Sequence, residues 1–182
     1  MGDFSFNRQI NYMEYRVIVS GWRYWPRSHA WVIQASLEMM LLNLISSNDD
    51  DMVINMCVVE GECPYGGVDL FAKNWALSAQ QRYRGRDRIR VYPEEHPADW
   101  ISFGKGAGPK RNQKMVDAGA NFALVFPHSS SRGTTGCLEM LIKADIPVEV
   151  IQFHPLVFKN VHDKAAAAGI NNFTEIGSIS CS

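Results

Sequence analysis

Polar, glycine-bearing loops supply the residue types in this chain that could hold an anionic ligand. The loop 61–69 contains three glycines and ends at Asp69, while the loop 129–135 contains three serines, Arg132 and Gly133. Backbone amides and hydroxyl groups donate hydrogen bonds to phosphate oxygens, and an arginine can donate two at once. These residue types therefore predict a site for a phosphate-bearing ligand.

A third loop, 106–112, places Lys110 and Arg111 at the start of a helix, where the helix dipole disfavours positive charge. A bound anion or a carboxylate partner would offset this conflict, and such broken local rules tend to mark functional sites. An ordinary strand-to-helix turn explains the loop 61–69 equally well, and a surface turn with a threonine N-cap is the simpler interpretation of 129–135. No loop matches the G-x-G-x-x-G or P-loop pattern, which argues against a nucleoside triphosphatase.

The elements that position these loops alternate along the chain. β-Branched apolar runs predict five strands, and apolar residues at helical spacing predict four helices between them. This order predicts an α/β, Rossmann-like three-layer fold, with a mainly parallel sheet of about five strands and helices on both faces. The loops at the carboxyl ends of such strands lie together. The predicted strands are Tyr15–Ser20, Met52–Val59, Arg88–Tyr92, Asn121–Phe126 and Pro147–Gln152, and the predicted helices are His29–Ile45, Val68–Gln81, Pro109–Ala118 and Thr134–Ala144.

Local patterns add finer predictions about these elements. Ser28 is available as the N-cap of the first helix. The third strand alternates because it lies near an edge of the sheet or because its flanks are polar, and Pro93–Gly108 forms one long loop. The second helix turns four apolar side chains inward, namely Leu70, Phe71, Trp75 and Leu77.

The composition indicates one ordinary globular domain. With 182 residues, of which 46% are hydrophobic and 20% charged, the chain can bury one full core and is too short for two. We predict an N-terminal arm at 1–14, a nucleotide-ligand-binding domain at 15–154, and a C-terminal tail at 155–182 with a short helix around Val161–Ala168. No apolar run approaches the ~20 residues of a membrane span, so we expect a cytoplasmic protein without a membrane partner.

The cysteines and histidines favour neither a metal nor a disulfide framework. The four cysteines form no C-x-x-C pair, and Cys57 lies in an apolar run where it is predicted to be a small core residue. His96 and His128 have no third ligand at zinc spacing. We therefore predict no metal and no cofactor.

A run of five arginines between residues 82 and 90 is the best candidate for contact with nucleic acid, because the net charge of −1 gives no general attraction. A solvated helix end close to the acidic residues 49–51 explains this run better than a DNA-binding surface. Nucleic acid is therefore not an expected partner, and single-stranded DNA binding is kept as an alternative.

Five short motifs follow one another along the chain: Ser20-Gly21-x-Arg23, Gly61-x-Cys63-Pro64-x-Gly66-Gly67-x-Asp69, Ala98-Asp99-Trp100, Gly108-Pro109-x-Arg111-Asn112-x-x-Met115, and Phe126-Pro127 with Arg132-Gly133-Thr134. In order and spacing they resemble the YspA/YpsA-related branch of the SLOG superfamily, which occurs in bacteria and phages. There is a more distant resemblance to LOG-type phosphoribohydrolases and to DNA-processing protein A. The resemblance runs from about residue 15 to 152 and implies a Rossmann-like fold with a nucleotide-type ligand at the loops.

The resemblance also shows where this chain departs from the hydrolases. They carry Pro-Gly-Gly-x-Gly-Thr-x-x-Glu, of which Gly133 and Thr134 are kept, and the position of the catalytic Glu falls on Cys137. Glu139 stands two residues further along the helix, which turns it away from the site. Arg111 matches the hydrolases' other catalytic residue. Without the Glu, an oxocarbenium-like ribose would lose its main electrostatic aid.

We therefore expect a binding module that senses or sequesters a nucleotide-derived small molecule, such as an ADP-ribose derivative or a cyclic nucleotide. By analogy, a phage protein of this kind would take up an immune signal in the host cytoplasm. The alternative is a nucleotide N-glycosidase with a relocated acid, for which Asp69, Asp99 and Glu62 are candidates beside Arg111. The expected ligand-binding residues are Ser20, Gly21, Arg23, Gly61, Cys63, Gly66, Gly67, Asp69, Asp99, Trp100, Arg111, Asn112, Ser131, Arg132, Gly133 and Thr134.

Aromatic and apolar residues give two further expectations. Trp22, Trp25 and Trp100 each lie close to a loop of the predicted site and could stack on a purine, although packing explains such residues more often. Apolar residues from Met39 to Leu42 cover more than one face of the first helix, which fits a homodimer. A fully buried helix would explain them equally well.

Overall fold

The computed structural model describes residues 11–152, which form five strands and the helices between them. The strands are β1 (Asn11–Gly21), β2 (Met52–Glu60), β3 (Ile89–Glu95), β4 (Phe122–Phe126) and β5 (Val148–Val150). The helices are α1 (Ala30–Ser46), α2 (Val68–Arg82), α3 (Trp100–Phe103), α4 (Ala107–Asp117) and α5 (Arg132–Lys143), and single 3-10 turns occur at Arg27–His29 and Gly104–Gly106.

The strands form one parallel sheet in the order β3-β2-β1-β4-β5. Successive side chains of β1 point to opposite faces. Val17 and Val19 pack with α1 and α2 on one face, while Ile18 packs with α4 and α5 on the other. The predicted Rossmann-like α/β fold, with helices on both faces of a parallel sheet, is thus confirmed.

The strand order reverses direction beside β1. The chain proceeds outward from β1 through β2 to the edge strand β3, then crosses back to place β4 on the other side of β1. The loops that leave β1 and β4 therefore run to opposite faces and open a crevice at the carboxyl edge of the sheet. Open α/β sheets bind their ligands at this type of crevice.

The first strand begins earlier than predicted, at Asn11 instead of Tyr15. Its first four residues pair in register with the start of β2, but their side chains are exposed, so they leave no hydrophobic signal in the sequence. The predicted arm at 1–14 thus overlaps a strand. The rest of that arm, and the tail at 155–182 with its helix around Val161–Ala168, lie outside the described residues.

The predicted loop at Pro93–Gly108 is mostly regular structure. Strand β3 continues to Glu95, and only residues 96–99 separate it from α3. Pro93 lies in β3 in register with Val58 of β2. A proline is tolerated there because β3 is an edge strand, which was one of the two explanations of its alternating pattern.

Two predictions about helices were wrong. Ser28 does not cap α1, since His29 occupies the N-cap position at the end of the preceding 3-10 turn. In α2, Leu70 and Leu77 are 39% and 44% exposed. The inward face of α2 is made instead by Val68, Ala72, Trp75, Ala76 and Ala79, whose small alanines allow close approach to the sheet.

Candidate functional site

The residues that follow four of the strands enclose one cavity at the carboxyl edge of the sheet. Its volume is about 410 Å³, within the range of roughly 300–1,000 Å³ that small-molecule sites occupy. Most of the predicted ligand-binding residues line it, namely Ser20, Gly21, Arg23, Gly61, Cys63, Asp69, Trp100, Arg111, Asn112, Ser131, Arg132, Gly133 and Thr134.

The cavity lining lacks some of the predicted ligand-binding residues and includes others that were not predicted. Gly66, Gly67 and Asp99 do not line the cavity. Glu62, a candidate acid, does so, together with residues that had not been singled out as ligand contacts: Pro64, Ala98, Lys105, Gly108 and Pro109. All of these belong to loops that the sequence had marked.

Arg111 and Asp69 form an ion pair at the cavity. The Nη1 atom of Arg111 lies 3.6 Å from Oδ2 of Asp69 and also donates to the carbonyl of Gly61. The Nε–H of Arg111 donates to Oδ1 of Asn112 at 2.8 Å. The sequence predicted that a bound anion or a carboxylate partner would offset the positive charge at the start of α4. The carboxylate of Asp69 is such a partner.

Asp69 is a buried carboxyl group at the start of α2. Burial raises the pKa of Asp69 to about 6, while Arg111, the amides of Cys63 and Gly61, and Arg23 act in the opposite direction. The N-cap position of α2 is Gly67, and no side chain caps the helix there. Asp69 therefore lies at the cavity as a charge partner of Arg111 and does not cap α2.

Glu60, the last residue of β2, is a second buried acid, which the sequence analysis missed. It has no exposed surface, and its Oε2 accepts a hydrogen bond from the Glu62 amide. Its Oε1 has no hydrogen-bond partner within the described residues. Burial raises the pKa of Glu60 to about 7, with a further contribution from Asp69, while the Glu62 amide and Lys73 oppose the shift. Glu60 shares a face of the sheet with Met56 and Val58, but β2 is buried on both faces, so alternation alone does not reveal that its last residue is covered.

The start of α5 supplies hydroxyl groups and an exposed arginine to the cavity. The Oγ of Ser131 lies 2.6 Å from Oγ1 of Thr134. The Nδ2 of Asn112 donates to the carbonyl of Gly133 at 3.4 Å, which joins α4 to this turn. The guanidinium of Arg132 is consequently presented from a helix N-terminus, a position that favours anions.

Cys137, which lies in α5 close to the cavity residues Gly133 and Thr134, is fully buried. Burial raises the pKa of its thiol, although a hydrogen bond with Ser20 and the charge of Arg111 act against this. A buried neutral thiol is a poor nucleophile. Cys57 is also fully buried, as predicted for a core residue.

Cationic side chains outnumber acidic ones around the cavity. Arg23, Lys105 and Arg132 line it and form no ion pair within residues 11–152. The acids are Asp69, paired with Arg111, and Glu62. Three helices, α2, α4 and α5, begin beside the cavity and direct the positive ends of their dipoles toward it. The lining therefore suits an anionic ligand.

Two glycines of the loop 61–69 lie very close to other segments of the protein. A Cβ atom at Gly61 would meet the guanidinium of Arg111, which is the flexible end of a long side chain. Gly67 has φ +71°, and a Cβ there would collide with backbone atoms of Arg23. Gly67 thus explains why the loop 61–69 needs a glycine at a position that does not face the cavity.

Of the three tryptophans considered as stacking partners, only Trp100 lines the cavity. Trp25 belongs to the core, where its Nε1–H donates to the carbonyl of His29 at 2.9 Å. Trp22 stacks on His128 with ring centroids 3.8 Å apart. Asp99 caps the helix that carries Trp100, because its Oδ1 accepts from the Ser102 amide at 2.9 Å.

Two of the five arginines in the run at 82–90 form ion pairs with acids of the same molecule. Arg82 lies 2.7 Å from Glu38, and Arg88 lies 2.8 Å from Asp50. These contacts support the interpretation of the run as a solvated surface. Within residues 11–152 no group of three or more potential metal ligands occurs.

The fold and the site define the protein as a Rossmann-like α/β protein with an anion-suited cavity at the reversal point of a parallel sheet. Neither a family model nor a solved structure matches the chain. It is 34% identical over 134 residues to the Gene 61 protein of Mycobacterium phage D29, in an alignment that covers 73% of this chain and 93% of the phage protein. The chain belongs to the family of that protein. No helix among residues 11–152 is long and apolar enough to cross a membrane.

Proposed function

We propose that the protein binds a nucleotide-derived small molecule, such as an ADP-ribose derivative or a cyclic nucleotide, and holds it intact. The observation that carries this proposal is the cluster of Arg23, Lys105 and Arg132 around a cavity into which three helix N-termini point. Phosphate groups are the anions that such donors bind best. The cavity is also large enough for a sugar and a base.

The sequence resemblance to the YspA/YpsA-related branch of the SLOG superfamily supports the same class of ligand. Kinship with a protein of Mycobacterium phage D29 supports a role in an infected host cell. In that setting the protein acts as a sponge that sequesters a nucleotide signal of host defence in the cytoplasm. Single-stranded DNA is not the proposed ligand, because Arg82 and Arg88 are paired with acids.

The proposal is tested by calorimetric titration of the full chain with a panel of nucleotides. The panel contains ADP-ribose, NAD, cyclic mononucleotides and cyclic dinucleotides. We expect at least one to bind with a Kd in the low micromolar range or below, and to be recovered unchanged by chromatography. Dissociation constants above the high micromolar range for every member would overturn the proposal.

A second candidate function, N-glycoside hydrolysis, is favoured by Asp69. This carboxyl lines the cavity, and its pKa of about 6 is typical of general acids. Asp69 would give its proton to the departing base as the C1′–N bond breaks. Water would then add to C1′ and return a proton to the carboxylate.

Incubation with nucleoside monophosphates and NAD, followed by chromatography, separates the two functions. Under the leading proposal no base is released. Release that disappears in Asp69→Asn, with the nucleotide still bound, would establish the hydrolase instead.

A homodimer is part of the proposal. Met39 and Leu42 on α1 are 37% and 46% exposed, whereas Leu37 and Leu41 are buried. Helix α1 therefore leaves apolar side chains outside the core, which supports a partner subunit at this face. Light scattering of the wild type and of the pair Met39→Glu with Leu42→Glu tests this, since the double variant should be a monomer.

A further inference from the structure

The lining of the cavity is chemically divided between two segments. Between β3 and α4, Ala98 and Trp100 supply apolar groups beside the charged Lys105, and Pro109 adds a further apolar group from the first turn of α4. The segment at the start of α5 supplies hydroxyl groups and the guanidinium of Arg132. A ligand that filled the cavity would therefore need an apolar part and an anionic part.

Trp100 is the large aromatic side chain of the apolar part. Its side chain is 43% exposed, in contrast to Trp25 and Trp75, which lie in the core. The far end of its indole lies against the first turn of α4, where a Cβ at Gly108 would be 3.6 Å from Cη2. The ring thus has one side supported by protein and a surface left open at the cavity.

The short helix α3 that carries Trp100 is held by contacts on both sides of this residue. Asp99 caps α3 through its hydrogen bond from the Ser102 amide, and the Phe103 amide donates to the Asp99 carbonyl at 3.1 Å. On the next turn, Lys110 Nζ lies 3.7 Å from the centre of the Phe103 ring, which ties α3 to α4. A helix held in place before binding lowers the entropic cost of positioning its ring against a ligand.

We propose that the Trp100 indole is a stacking platform for a flat heteroaromatic base, with the ligand's phosphate held at the start of α5. This inference rests on the proposed function and narrows it to ligands that carry a base. Sugar phosphates and inorganic anions are poor ligands on this basis. Base stacking on an aromatic side chain contributes enough affinity to change a Kd by roughly 10- to 100-fold.

The test compares AMP with ribose 5-phosphate, which lacks the base, by calorimetric titration of the full chain. Wild type should bind AMP at least about tenfold more tightly. Trp100→Ala should remove that difference and leave the affinity for ribose 5-phosphate unchanged, while Trp100→Phe should keep most of it. Ile101→Ala is the matched control, since Ile101 is fully exposed on the same helix and does not line the cavity.

The outcomes separate this inference from the proposed function. If Trp100→Ala leaves the ratio of the affinities for AMP and ribose 5-phosphate unchanged, including by lowering both equally, the ring does not stack on the base. That result would not contradict binding of the phosphate at the start of α5. If AMP is not bound and a larger nucleotide of the panel is, the same variants are titrated with that nucleotide and its base-free counterpart under the same criterion. If nothing binds, the proposed function itself fails.

Discussion

The carboxylate of Asp69 and the guanidinium of Arg111, with 3.6 Å between Oδ2 and Nη1, connect helices that lie on opposite faces of the sheet. Asp69 lies in the first turn of α2, which packs with α1, and Arg111 lies in the first turns of α4, which packs with α5. The pair therefore joins the two outer layers of the fold at the carboxyl edge. It also forms part of the cavity lining, so fold stability and site geometry depend on the same contact.

Replacement of Arg111 by methionine should destabilise the fold by about 3 kcal/mol at pH 7.5, because it leaves the buried Asp69 carboxylate without its main counter-charge. Urea unfolding measures the change. Adding Asp69→Asn should recover part of the loss, as a double-mutant cycle requires for coupled partners. Lys114→Met, on the exposed face of the same helix, is the control; an equal loss in both variants would contradict the pairing argument.

The stability of the protein should fall as pH rises from about 4.5 to 7. The pKa of Glu60 is raised from 4.5 to about 7 and that of Asp69 from 3.8 to about 6, so the folded state binds more protons than the unfolded state in this window. Unfolding free energy therefore decreases with pH there. For Glu60 the fall amounts to as much as about 3 kcal/mol.

Glu60→Gln should flatten this fall and raise stability at pH 7.5, as followed by urea unfolding at a series of pH values. Glu95→Gln is the control, because Lys73 lowers the pKa of Glu95. Glu94 acts in a different window: its pKa is lowered to about 2, mainly by Arg16, so its contribution is lost only as pH falls below 4.5. An unchanged slope in Glu60→Gln would show that Glu60 is ionised in the fold.

Arg132→Ala should weaken nucleotide binding by roughly 10- to 100-fold, the usual effect of losing a charge-assisted hydrogen bond. Its stability should change by less than about 0.5 kcal/mol, since the side chain is exposed and has no ion-pair partner in the described part of the chain. Arg84→Ala removes a comparable exposed charge from the run at 82–90. If both variants weaken binding equally, the attraction is general and the site is not at α5.

Gly67→Ala should cost more than about 1 kcal/mol, because Gly67 has φ +71° and the new Cβ would meet the Arg23 backbone. Gly136→Ala, within α5, should instead add about 0.5–1 kcal/mol, since nothing lies within 4 Å of its Cβ position. Thermal and urea unfolding of the two variants give the comparison. A neutral Gly67→Ala would mean that the turn rearranges without strain.

The sequence predicted the architecture well because strands and helices differ in the spacing of their apolar residues. Buried runs such as Met52–Val59 admit few other interpretations, and parallel topology then brings their following loops together. The prediction failed where side-chain size mattered more than hydrophobicity. Leu70 and Leu77 look like core residues, but alanines set the contact face of α2.

The site was predicted less completely, for a physical reason. Glu60 was missed because an acid after an apolar run usually marks the exposed end of a strand, whereas here it has no exposed surface. Asp99 was expected at the ligand, yet it caps α3 and acts on the cavity only through Trp100. Both roles depend on which segments fold over the strand ends, and local sequence does not encode that information.

Pro93 has a consequence for how the molecule behaves at high concentration. It sits within the edge strand β3, whose outer side would otherwise present a continuous row of backbone donors and acceptors to any passing chain. A proline contributes no N–H, so it interrupts that row and disfavours the addition of a further strand. The sheet thereby resists self-templated growth into aggregates when many copies of the protein are close together.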